Sequence, residues 1–92
     1  MMSMNDVRSN MCINLYNTWY ILYKNKVEPF SDKYEHWDII WKNELLILKY
    51  KGQLMAKTKD EKVFLDESIA KDNEFPIRSI RKYLAQSKTI VL

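Results

Sequence analysis

The chain has 92 residues and a formal net charge of +3, and 47% of its residues are hydrophobic and 13% aromatic. That length makes one domain, residues 1–92, with a thin core that large aromatic side chains must help to fill. One glycine, Gly52, and one cysteine, Cys12, exclude a phosphate-cradling loop, a dinucleotide-binding fingerprint and an intrachain disulfide.

No apolar run approaches the roughly 20 residues needed to cross a bilayer, so no membrane partner is expected. A lone thiol and no leader pattern point to the cytoplasm.

Met1–Met4 are expected to fray. From Asn5 onward, Val7, Met11, Leu15, Trp19 and Leu22 recur at spacings of three and four, which predicts a helix. Ile13, Tyr16, Tyr20 and Tyr23 form a second stripe, so this helix needs cover from its own domain and from another chain. Ile13, Leu15, Trp19, Ile21 and Tyr23 also suit an alternating strand, but the helical reading is preferred. Glu28-Pro29-Phe30 ends the element, because proline removes a donor and restricts the residue before it. Ser31 or Asp32 then caps a second helix with Tyr34, Trp37, Ile40 and Trp41 on one side.

That helix is broken near Asn43, where alternation begins. Leu46, Leu48 and Tyr50 alternate with Ile47, Lys49 and Lys51, and Lys51-Gly52 suits a two-residue hairpin turn. The predicted register sets Tyr50 opposite Gln53, Leu48 opposite Met55 and Leu46 opposite Lys57. Thr58–Glu61 makes the next turn and Lys62–Asp66 a third strand. A polar stretch runs through Glu74. Pro76 then opens an amphipathic helix with Ile77, Ile80 and Leu84 on one side and Arg78, Arg81, Lys82 and Ala85 on the other. The predicted fold is α+β: a three-stranded antiparallel meander packed with an aromatic-rich N-terminal helix, a second helix and an amphipathic C-terminal helix.

Little in the chain suggests chemistry. Structural zinc wants four cysteine or histidine ligands, and only Cys12 and His36 are present. Asp32, Glu35 and Asp38 read as a solvated helix face. His36 has no inferable nucleophile beside it and no glycine turn to stabilise an oxyanion. Cys12, between Met11 and Ile13, reads as a small buried hydrophobe. Asp60-Glu61-Lys62 reads as a charged turn. The chain is therefore expected to be non-enzymatic, with no catalytic residue, metal ligand or cofactor.

Charge is distributed unevenly. Residues 76–92 carry Arg78, Arg81, Lys82 and Lys88 with no acid, beside a segment 59–74 with three lysines against six acids. Arg78, Arg81 and Lys82 are the candidates for a charged contact with a partner, with Lys49, Lys51, Lys57, Lys59 and Lys62 widening the patch. Tyr16, Tyr20 and Tyr23 are the candidates for an apolar contact or a homodimer seam, since aromatic residues and arginine dominate binding energy at interfaces. The same basic helix could contact phosphates, which leaves a nucleic-acid-binding module as one alternative. A homo-oligomeric structural protein is another.

The segment from Trp41 to Leu84 places a tryptophan, an alternating strand, the Lys51-Gly52 hairpin and Ala56 in order. The strand Val63-Phe64-Leu65 and the helix start Arg78-Ser79-Ile80-Arg81-Lys82-Tyr83-Leu84 follow. In that order it resembles small uncharacterised phage accessory modules, which pair a short meander with a basic C-terminal helix. The resemblance carries over no catalytic residue, and it implies a phage origin. A phage-type accessory protein is expected to bind and inhibit a host protein or ribonucleoprotein complex, such as a bacterial defence nuclease, in the manner of anti-CRISPR proteins. Net positive charge disfavours DNA mimicry, which imitates phosphates with carboxylates.

Overall fold

Apolar spacing makes the first segment a helix, α1 (Met4–Asn25), with Asp6 in its first turn and Lys24 in its last, each at the end its charge favours. Met11, Leu15, Trp19 and Leu22 are buried along the expected stripe, joined by Thr18, with Val7 packed at its edge. The structure, a computed structural model, describes residues 4–26 and 34–92. Met4, expected to fray, belongs to α1. The break at Glu28-Pro29-Phe30 and the cap at Ser31 or Asp32 lie outside the described residues.

The expected second helix is a strand. A 3-10 turn (Tyr34–His36) leads into β1 (Trp37–Lys42). Trp37, Ile40 and Trp41 fit a helical spacing, but β-branched and aromatic residues also suit a pleated surface. Asn43 decides between the two: it takes a φ of 58°, a left-handed conformation that asparagine tolerates, and turns the chain straight back into β2 (Leu45–Tyr50).

β2 and β3 (Gln53–Lys59) form the expected hairpin, with Lys51 and Gly52 both at positive φ, 50° and 82°. Such a turn needs left-handed backbone at both central residues. Tyr50 lies opposite Gln53 as predicted, but a bulge then shifts the register so that Leu48 faces Ala56 and Leu46 faces Thr58. The irregularity lets Met55 and Ala56 both enter the core and turns Lys57 outward. Thr58 is therefore a buried strand residue and no part of the following turn. Its hydroxyl donates to the Leu46 carbonyl at 3.0 Å.

Asp60, at a φ of 57°, helps turn the chain into β4 (Lys62–Leu65). Asp66 caps a short helix that the polar stretch concealed, α2 (Glu67–Asp72). Its carboxylate accepts from the Ser68 hydroxyl at 2.7 Å and from the Ile69 N–H at 3.4 Å. These two bonds hold the Asp66 carboxyl below its ordinary range. A depressed folded-state pKa contributes stability that is present above the ordinary carboxylate range and lost as pH falls through the folded value. Asp66→Asn keeps a capping side chain without the titration. Acidification should therefore lower the thermal midpoint of the wild type more than that of Asp66→Asn; equal falls would remove Asp66 from the acid sensitivity.

α3 (Ile77–Gln86) follows Pro76 and buries Ile77, Ile80 and Leu84, the face its spacing predicts. Lys88, at a φ of 57°, then redirects the chain into β5 (Thr89–Val91), which pairs parallel with β4. The fold is α+β, but the expected three-stranded meander is the middle of a five-stranded mixed sheet ordered β1-β2-β3-β4-β5. Leu46, Leu48, Tyr50, Val63 and Leu65 join Leu15, Ala70 and Ile80 in one core, so the helices share one face of the sheet. Across that core Thr18 of α1 and Thr89 of β5 bring their hydroxyl oxygens to 2.6 Å.

Candidate interaction surface

The other face of the sheet is open. Register carries one row of side chains across all the strands: Ile40 opposite Ile47, Ile47 opposite Lys57, Lys57 opposite Phe64 and Phe64 opposite Ile90. Alternation places Lys42, Leu45, Lys59 and Lys62 on one side of this row and Asp38, Lys49 and Leu54 on the other. Ile47 is buried beneath its neighbours, whereas Ile40, Leu54, Ile90 and Leu92 are exposed. Leu45, Lys57, Lys59, Phe64 and Leu92 line a shallow depression of about 400 Å³ on this face.

The electrostatics are lopsided. Lys42, Lys49, Lys57, Lys59 and Lys62 share the face with Asp38 as the strand carboxylate. Lys59 lies directly opposite Lys62, and like charges set across a strand pair destabilise it. An apolar centre ringed by lysines suits an anionic surface that also offers apolar contacts.

The predicted site residues lie elsewhere. Arg78, Arg81 and Lys82 are exposed on α3, on the helical side of the sheet, away from the lysine face. Lys49, Lys57, Lys59 and Lys62 therefore form a patch of their own and do not widen that of the helix, whereas the Lys51 ammonium lies 5.4 Å from the ring of Tyr50, a core residue. Glu67 of α2 approaches Arg81 at 3.3 Å, so the acidic neighbour offsets part of the helix's charge.

The three tyrosines share one stripe of α1 but differ in exposure and neighbours. Tyr23 is half-buried and stacks between Trp19 and Tyr34, with centroids 5.2 Å and 5.0 Å away. Tyr16 is exposed beside Ile13 and Ile39, and Tyr20 is exposed in a separate groove with Tyr83 of α3. The Trp19 ring lies near both, with centroids 5.3 Å from Tyr16 and 6.3 Å from Tyr20.

Comparison with protein-family models, with curated proteins and with solved structures finds no match to this chain.

His36 packs edge-on against Tyr50, with ring centroids 6.0 Å apart. Cys12 is exposed, contrary to the expectation of a small buried hydrophobe, because it lies one residue past Met11, off the stripe that Met11, Leu15 and Leu22 bury. Among the described residues no three His, Cys, Asp or Glu side chains gather as metal ligands, and no helix is long and apolar enough to cross a membrane. Each hairpin lysine was visible in the sequence. Their grouping with Ile40, Phe64 and Ile90 was not, since it needs the order and register of every strand.

Proposed function

We propose that this chain is a non-enzymatic binding protein whose open sheet face docks onto an acidic surface of a protein partner. The row Ile40–Ile47–Lys57–Phe64–Ile90, flanked by further lysines, carries the reading. It has the apolar centre and charged surround of a protein interface. An acidic partner would also relieve the opposition of Lys59 and Lys62. Single-stranded nucleic acid fits less well, because such sites stack successive bases on aromatic planes and, among the described residues, Phe64 is the one aromatic residue of this face. The wider role follows from the resemblance of the hairpin-to-helix segment to phage accessory modules. The protein would occupy and block a bacterial host protein or ribonucleoprotein complex, a defence nuclease among them, in the host cytoplasm.

The test compares capture from host lysate by the wild type with capture by Lys57→Glu/Lys59→Glu/Lys62→Glu and by Arg78→Ala/Lys82→Ala. The expected result is one protein complex retained after nuclease treatment, weakened about tenfold or more by the sheet variant and little changed by the helix variant. Dependence on the helix residues alone would overturn the docking face. Retention of nucleic acid alone, with affinity falling log-linearly with salt, would replace the protein partner by nucleic acid.

A further inference from the structure

β1 is an outer strand of the sheet, and among the described residues no strand pairs with its outer side. Lys51 donates its N–H to the His36 carbonyl at 2.8 Å, at the end of a register that runs from Trp37–Tyr50 to Lys42–Leu45. Antiparallel pairing alternates along a strand. The backbone groups of Asp38, Ile40 and Lys42 therefore turn inward to β2, and those of Trp37, Ile39 and Trp41 turn outward. Proline and bulges, which blunt natural edges, are missing from β1, and Ile39, Ile40 and Trp41 are 43%, 42% and 42% exposed. Such an edge is a template for another strand.

We propose that the strand it takes is β1 of a second copy of this chain, running antiparallel and centred on Ile40. In that register the outward groups of Ile39 meet those of Trp41 of the second copy, and Trp41 meets Ile39. Ile40 lies across from Ile40, and Asp38 lies across from Lys42 at both ends of the seam. Asp38 and Lys42 then occupy non-hydrogen-bonded positions, where opposed side chains come closest. The outward pattern permits registers two residues to either side, but these set Asp38 against Ile40 or against Glu44. Only the centred register joins opposite charges, and the twofold symmetry joins them twice.

The helical side of the seam is complementary too. An apolar groove of about 390 Å³ runs beside Ile39 between α1 and β1, lined by Cys12, Ile13, Tyr16 and Leu46. Trp41 of the second copy, whose ring lies 5.1 Å from the Arg8 guanidinium of its own α1, would stand across from Ile39 on this side, beside the exposed Ile13 and Tyr16. A foreign strand would have to supply this match; β1 already supplies it to itself.

Sedimentation of the full chain across a concentration series tests the seam. The wild type should show a monomer–dimer equilibrium. Asp38→Lys and Lys42→Asp should each raise the dissociation constant about tenfold, because each turns both attractive pairs into repulsive ones. An equimolar mixture of the two variants should recover dimer, since the seam of one variant then presents lysine at both charged positions and that of the other presents aspartate at both. Ile39→Pro removes an outward N–H while leaving the β1–β2 ladder intact, so it should be folded by circular dichroism and monomeric. A wild type that stays monomeric at every accessible concentration would overturn the proposal. So would a dimer indifferent to both charge variants, or variants whose mixture recovers nothing.

Discussion

At concentrations where the chain is monomeric, Leu15→Ala is expected to lower the unfolding free energy by about 2–5 kcal/mol, and Ile13→Ala, on the same helix, to change it by no more than about 0.5 kcal/mol. Both residues are branched aliphatics within an apolar run, and helix propensity favours alanine at either site. Their surroundings differ. Leu15 is 0% exposed and packs within the core that α1 shares with β2, whereas Ile13 is 55% exposed. Removing the buried methyl groups forfeits their transfer free energy and leaves a cavity that strands on one side and a helix on the other cannot close. A domain of 92 residues has roughly 5–14 kcal/mol of stability in all, so the loss is a large share of it. At about 4–8 °C per kcal/mol, the thermal midpoint of Leu15→Ala should fall by roughly 10 °C or more. Equal midpoints for the two variants would mean that α1 is not seated on Leu15.

Thr18→Val should cost about 1–3 kcal/mol, and adding Thr89→Val should recover part of that loss. The Thr18 hydroxyl donates to the Asn14 carbonyl at 3.0 Å, so at the 2.6 Å contact with Thr89 it is Thr89 that donates and Thr18 that accepts. Both side chains are buried. Valine at position 18 keeps the shape but leaves the Thr89 hydroxyl without its acceptor, and an unmade buried hydrogen bond costs the donor its full desolvation. The double variant removes both polar groups at once. A double-mutant cycle by chemical denaturation measures the coupling, and simple additivity would sink the bond as a determinant of how α1 meets β5.

Legibility tracked how many independent signals each element placed in the sequence. Met11, Leu15, Trp19 and Leu22 marked the buried side of α1 because spacings of three and four repeat across several turns. Lys51-Gly52 marked the central hairpin, and Ile77, Ile80 and Leu84 marked the inner side of α3. β1 reads as a helix because Trp37, Ile40 and Trp41 also fit a helical face and its turn at Asn43 lacks glycine. The bulge was hidden because Met55 and Ala56 are both apolar, and either could have faced Leu48. β5 is three residues long, too short to show a period, and its partner strand lies beyond two intervening helices. The candidate surface depended on those very elements. Ile40 and Ile90 belong to the outer strands, so without β1 and β5 the lysines read as an extension of the basic helix.

A sheet has two rims, and β5 determines what happens at the second. It pairs with β4 over only Thr89, Ile90 and Val91, so it offers an incoming chain a much shorter run of backbone than β1 does. Strand-by-strand accretion into a fibre needs a receptive rim on both sides of every unit. Among the described residues the sheet has one long rim and one stub, so the proposed pairing through β1 would use up the long rim and end in a closed twofold assembly. On that proposal the short parallel strand would act as a terminator, keeping a chain with an apolar outer strand from polymerising.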